Sequence, residues 1–171
     1  VKLASISIIE SSILNFALEK FDEVIISTGF TDQNELIRIS NSTKEYHNKL
    51  IVMHCTSSYP CNLEEANINS INNLYKLFPK SRIGFSDHTL DTVAANAAVS
   101  LGAKIFEKHI TFDKKNPGPD HIMSMEPEKF KEYISDIKKT YIALGSKIRL
   151  RTPSEKNNIL YLMKNSMLLL K

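Results

Sequence analysis

Cysteine is nearly missing from this chain: Cys55 and Cys61 are the two thiols in 171 residues. Two are too few for a disulfide framework, and reduced thiols in a cytoplasmic protein are the default. No apolar run approaches the roughly 20 residues that a membrane span needs. No signal peptide is visible. A basic stripe is missing as well. The net charge is +3, with lysines scattered among Glu and Asp, which argues against a nucleic-acid surface and a polybasic membrane patch. What is present, 171 residues with 42% hydrophobic content, is enough for one globular domain with a real core. Both ends read as cut. The chain opens on Val1 inside a strand-like piece and closes on the apolar run from Ser166 to Lys171.

Strand-like pieces recur about every 25 residues: Val1–Ser5, Glu23–Thr28, Leu50–Thr56, Arg82–Asp87 and Lys104–Ile110. Amphipathic segments lie between them: Ser11–Phe21, Thr31–Ser40, Leu63–Phe78, Leu90–Leu101 and Glu126–Leu144. Pro127 suits a first helical position and Gly145 a helix end. Strands such as Val24-Ile25-Ile26 are apolar on both faces, the mark of a parallel sheet covered by helices. The fold class is therefore α/β.

An open doubly wound sheet and a (β/α)₈ TIM barrel remain, and the polar residues decide between them. Each strand ends in Ser, Thr or His: Ser5, Ser27-Thr28, His54-Cys55-Thr56, Ser86-Asp87-His88 and His109. Chemistry at the C-terminal end of every strand is the barrel habit, whereas an open sheet gathers it at one switch point. Eight strands and about 250 residues make a barrel. Five strands predict a partial barrel, its last five βα units. Residues 146–158, polar and holding Pro153, read as a linker. Residues 159–171 read as the start of a helix and then a strand of a second, truncated domain.

Alternate strand residues share a face, so Ser86 points with His88, and Glu107 with His109. Two imidazoles at neighbouring strand ends suit a divalent metal with open positions for water or substrate. Hydrogen-bonded structural histidines are the alternative. Lys2 and Ser5 offer a cation and a hydroxyl to phosphate or carboxylate, or else Lys2 is a solvated strand-end residue. Ser27-Thr28-Gly29 precedes a helix start, which favours anions and equally suits an ordinary N-cap. Tyr59, held extended before Pro60, fits a pocket wall or a lid on the core. The stiff Pro117-Gly118-Pro119 loop holds Asp120 near the barrel mouth, or leaves it solvated. Cys55 reads as buried and inert, Cys61 as a loop thiol, and His47 and His121 as exposed.

Taken together, these strings resemble the N-acetylneuraminate (sialic acid) synthase family, which includes the pseudaminic and legionaminic acid synthases. The matching pieces run in order over residues 1 to about 145: Lys2-Leu-Ala-Ser5, Ile26-Ser-Thr-Gly29, His54-Cys-Thr-Ser-Ser-Tyr-Pro60, Gly84-Phe-Ser-Asp-His-Thr-Leu90, Leu101-Gly-Ala-Lys-Ile-Phe-Glu-Lys-His109 and Pro117-Gly-Pro-Asp120. The resemblance makes residues 1–145 the C-terminal part of the synthase barrel and residues 159–171 the start of a truncated antifreeze-like (SAF) domain. It implies a transferase of nonulosonic acid and polysaccharide biosynthesis that condenses phosphoenolpyruvate with an open-chain N-acyl hexose of the N-acetylmannosamine type. Phosphoenolpyruvate C3 attacks the aldehyde carbon, water adds at C2, and phosphate leaves by C–O cleavage. By the same resemblance His88 and His109 ligate Mn²⁺ or Mg²⁺. Lys2, Ser5, Ser27, Ser57 and Ser86 hold phosphoenolpyruvate, and Tyr59 and Asp120 hold the sugar. Asp120, Tyr59 and Glu107 are the candidate catalytic residues. Family members are commonly domain-swapped dimers, so a homodimer is implied for the full-length protein.

The chain departs from the family at two places. Ser57 stands where sialic acid synthases often have Asn. The first three barrel strands, which in the family carry a carboxylate, a lysine and a threonine of the site, are absent. An open five-stranded sheet is expected to bare two edges and its inner face, leaving the isolated chain inactive and unstable. The alternatives are a truncated remnant acting as an interaction module and another metal-dependent barrel aldolase.

Overall fold

In a computed structural model the strands are β1 Lys2–Leu3, β2 Val24–Ser27, β3 Leu50–Cys55, β4 Arg82–Asp87 and β5 Ile105–Lys108. The helices are α1 Ser11–Lys20, α2 Gln33–Ser42, α3 Ser70–Leu77, α4 Val93–Ser100, α5 Pro127–Leu144 and α6 Pro153–Leu169. The structure describes residues 1–169, with side chains through Lys164.

All five strands are parallel, and their order across the sheet is β1-β2-β3-β4-β5. A doubly wound sheet reverses its order at a switch point. This sheet never reverses, so each strand is laid beside the last, as in a barrel. The result is a half-barrel with helices α1–α5 packed on the convex side. Val24, Ile26, Leu50, Val52, Ile83 and Phe85 point outward into a core shared with Leu14, Leu18, Ile71, Leu74 and Ala98 from the helices. A second cluster, Ala95, Met125 and Tyr133, seats α5 beyond β5.

The alternate residues point inward and form short layers set by the register. Ser27, Met53, Gly84 and Ile105 lie side by side, and Cys55, Ser86 and Glu107 form the next layer. This concave face is not bare, contrary to the sequence expectation. Ile51 is 3% and Met53 1% exposed. Met53 lies across Gly84, where a Cβ would sit 2.4 Å from its sulfur and 2.5 Å from the Ile105 carbonyl oxygen. Lys2 on one edge strand also reaches Glu107 on the other, with its Nζ 2.7 Å from both carboxylate oxygens. The β5 edge gains cover further along, where Met125 N–H donates to the His109 carbonyl at 2.9 Å and Thr111 N–H to the Met125 carbonyl at 2.9 Å.

Two element boundaries differ from the sequence reading. The helix expected from Leu63 starts at Ser70, after a 3₁₀ turn at Leu63–Glu65. Asn67 breaks the run with φ of 45°, a conformation Asn tolerates, and its amide donates to the Glu65 carbonyl at 3.0 Å. In the stretch read as linker, α6 begins already at Pro153. Thr152 caps it: its hydroxyl accepts from Glu155 N–H at 3.2 Å, while the Glu155 carboxylate accepts from Thr152 N–H at 2.8 Å. The helix continues to Leu169 where a strand was expected, and the last two residues of that expectation, 170 and 171, lie outside the described residues.

Candidate active site

His88 and His109 follow the paired residues Asp87 and Lys108 at the C-terminal ends of β4 and β5. Parallel pairing and period-2 alternation aim both rings inward. Their centroids are 5.5 Å apart, and Tyr59 covers them at 4.1 Å from His88 and 5.6 Å from His109. The His88 Nδ1 lies 2.8 Å from the Thr56 carbonyl oxygen. A carbonyl can only accept, so Nδ1 carries the proton and Nε2 keeps its lone pair. Burial lowers the His88 pKa, the Thr56 carbonyl opposes that, and nearby His109 lowers it further. His88 is therefore a neutral imidazole at pH 7, the form that ligates metals. Among the described residues no three His, Cys, Asp or Glu side chains gather as a complete metal cage. The donor set suits an ion held by two imidazoles, with its other positions left to water or ligand.

Next to the histidines runs a polar chain. Ser86 donates to Glu107 at 2.6 Å, and Lys2 binds the same carboxylate. Burial works against the Glu107 carboxylate, but hydrogen bonds from Lys2 and Ser86 hold its pKa below the ordinary value. Ser5 and Ser57 converge over Gly29: a Cβ there would sit 2.0 Å from Ser57 Oγ and 2.7 Å from Ser5 Oγ. Cys55 lies among them, its sulfur 3.9 Å from Ser5 Oγ, 4.0 Å from Ser57 Oγ and 3.8 Å from His88 Nδ1. Burial pushes the Cys55 thiol up against the opposing hydroxyls, so it is a protonated wall. Ser27 Oγ, one layer lower, is buried with no hydrogen-bond partner among the described residues. A buried hydroxyl without a partner costs about 1–3 kcal/mol, and an oxygen-rich ligand would relieve it.

The structure thus gathers Lys2, Ser5, Ser57, Tyr59, Ser86, His88, Glu107 and His109, with Ser27 beneath. Asp120 stands further out in the exposed loop of residues 112–120. Its charge reaches Tyr59, whose phenol pKa is raised first by burial, with the Asp120 and Glu107 charges acting in the same direction. The Tyr59–Pro60 peptide is cis. His54 is structural: its Nε2 meets the Ala66 carbonyl at 2.7 Å on the convex side. The expected exposure of His47 fails, and that of His121 holds only in part. His47 is buried, its Nε2 3.0 Å from the Ser40 carbonyl and its ring against Phe78. Cys61 sits in a loop as expected, buried, and its N–H donates to the His88 carbonyl at 2.8 Å. His121 is half-buried and ties its loop to Thr111 Oγ1 at 2.7 Å.

Sequence reasoning passed over one cluster. On the convex side, Lys108 and Asp87 form an ion pair at 3.3 Å, with side chains 3% and 0% exposed. Asp87 also accepts from Thr89 N–H at 2.8 Å and Thr89 Oγ1 at 2.7 Å. Tyr133 packs beneath, its phenol pKa raised by burial and then by the Asp87 charge. The signal was present: these are charged residues at outward positions of strands whose other outward residues are apolar.

Comparison with known proteins fits this geometry. The chain is 36% identical over 151 residues to an N,N'-diacetyllegionaminic acid synthase of Legionella pneumophila, covering 85% of this chain and 42% of that protein. It is 36% identical over 132 residues to the mouse N-acetylneuraminate-9-phosphate synthase, covering 77% of this chain and 37% of that one. The crystal structure of a sialic acid synthetase from Leptospira borgpetersenii, in complex with citrate, superposes with a TM-score of 0.83 at 31% identity, over 94% of this chain and 56% of that one. The chain spans less than half the length of the two curated relatives. The NeuB family model matches residues 1–149, and the chain belongs to the NeuB family.

Proposed function

We propose that this chain forms the histidine-bearing part of a synthase barrel that condenses phosphoenolpyruvate with an open-chain N-acyl hexose, giving a nonulosonic acid and phosphate. One observation carries the reading: two imidazoles converge under a tyrosine, beside a Lys–Glu–Ser chain and a cluster of serine hydroxyls. His88 and His109 would hold Mn²⁺ or Mg²⁺, which when bound supplies Lewis-acid polarisation of the sugar aldehyde. Lys2 leaves Glu107 to meet the phosphoenolpyruvate anion, a charge-assisted contact of the strong kind. Ser5, Ser27, Ser57 and Ser86 donate to its phosphate and carboxylate oxygens. Freed from Lys2, Glu107 accepts the proton of the water that adds at C2. Tyr59 and Asp120 bind the sugar hydroxyls from the mouth.

The first three βα units of the barrel, an antifreeze-like domain beginning near residue 159, a homodimeric assembly and a cytoplasmic location belong to the same proposal. No helix among the described residues is long and apolar enough to cross a membrane.

The test is phosphate release from phosphoenolpyruvate with N-acetylmannosamine and Mn²⁺. It is run on the chain and on a fusion that supplies the first three βα units of a relative. The fusion turns over, the chain alone stays at background, and His88→Ala in the fusion loses at least about 100-fold in kcat/KM, the scale of several kcal/mol of charge stabilisation. Release with bacillosamine-derived hexoses instead would reassign the sugar. Silence with every N-acyl hexose would overturn the proposal in favour of a remnant.

A further inference from the structure

The buried ion pair on the convex face has no part in the steps above, and stability does not explain it. Desolvating two charges offsets most of their attraction, and apolar residues of the same shape are often as stable. Its connections point elsewhere. Asp87 and Lys108 are direct partners across the β4–β5 ladder, and each immediately precedes one of the two histidines. Asp87 closes a turn around His88 by accepting from Thr89 N–H and Oγ1 at 2.8 and 2.7 Å. Lys108 lies 3.3 Å from Asp87 and also donates to the Thr89 carbonyl. One ammonium therefore binds the residue before His88 and the residue after it, from the strand that carries His109. Below, the Tyr133 ring lies 5.5 Å from the ammonium and closes the cluster against α5.

We infer that Asp87 and Lys108 are positioning residues that fix the spacing and facing of His88 and His109. This rests on the proposed metal reading for its purpose, though not for its test. The carboxylate and ammonium hold the His88 main chain on both flanks, so its ring meets the Thr56 carbonyl and stays 5.5 Å from that of His109. The pair gives the ligand backbone the support that hydrogen-bonded partners commonly give a ligand ring, and the loss of such support typically weakens metal binding 10–100-fold.

The deciding variant is the double replacement Asp87→Leu with Lys108→Met, which removes both charges and leaves no unpaired one. Lys108→Met alone is the second variant. Three readouts are taken on the chain and on the fusion: urea stability, the His88 tautomer by long-range ¹H–¹⁵N correlation without metal, and Mn²⁺ binding by electron paramagnetic resonance. The expected result is a double variant as stable as the parent, with His88 changed from a single Nδ1–H form to a mixture and Mn²⁺ affinity down about 10–100-fold. A stable double variant with an unchanged tautomer and unchanged Mn²⁺ affinity overturns the inference. A tautomer change in a parent protein that never binds Mn²⁺ supports the positioning role and overturns the metal reading instead. Should the double variant fail to fold, Lys108→Met decides by the same tautomer signal in its folded fraction.

Discussion

The two faces of this one sheet are buried by different means. On the convex face Ile26, Leu50, Val52 and Phe85 meet helices of the same chain, and apolar contact is continuous. On the concave face Ser27, Cys55 and Ser86 are buried nearly as well, yet no helix among the described residues covers them. They are enclosed by curvature, by Met53 lying over Gly84 and by the Lys2–Glu107 bridge. Burial alone therefore does not tell core from site. Composition does: the convex layer is apolar apart from His54 and the Asp87–Lys108 cluster, whereas the concave side gathers hydroxyls, with Ser27 Oγ unpartnered among the described residues and Lys2 on a partner it can exchange.

The sharpest way to break this contrast is on the convex side. Phe85→Ala removes a side chain that is 2% exposed and should cost about 3–5 kcal/mol in urea unfolding. A cost below 1 kcal/mol would mean that the helical layer is not tightly packed. Acid should come next. Burial lowers the His54 pKa below 6.5, against its hydrogen bond to Ala66. The unfolded chain then binds a proton near 6.5 that the folded chain refuses, so stability falls as pH drops below about 6.5. His54→Gln retains a donor for the Ala66 carbonyl and should flatten that slope, read as midpoint against pH. On the concave side Ser27→Ala should do the opposite of a core deletion. It removes an unpartnered hydroxyl and should raise stability by about 1 kcal/mol, while raising KM for phosphoenolpyruvate in the fusion. Smallest of all, Glu107→Gln should move stability by less than about 1 kcal/mol, because the bridge is half-exposed at 30% and 45%. A larger loss would mean that the bridge, not curvature, keeps the concave face closed.

Much of this was legible in the residues. Val24-Ile25-Ile26 announced a buried strand of a parallel sheet, and polar residues at every strand end announced the rim where His88 and His109 now meet. Period-2 alternation also placed Ser86 and Glu107 on their side. The same alternation sent Asp87 and Lys108 to the other face, and reading it through would have exposed a charge pair inside an apolar layer. Thr152 and Glu155 likewise spelled a helix start inside a supposed linker. The burial of His47 was not legible, because its partner is a main-chain carbonyl that tertiary packing delivers. Nor was the closed concave face, since nothing local says that Lys2 spans the sheet to Glu107.

The unreversed strand order has a consequence for the order of events in time. Each new strand finds its partner in the one made just before it, so pairing can advance as the chain leaves the ribosome, with low loop-closure cost at every step. The rim does not follow that schedule. Lys2 waits 105 residues for Glu107, and His88 stands alone until β5 docks. Within this chain the sheet follows the order of synthesis, and the histidine pair forms only when β5 docks on β4.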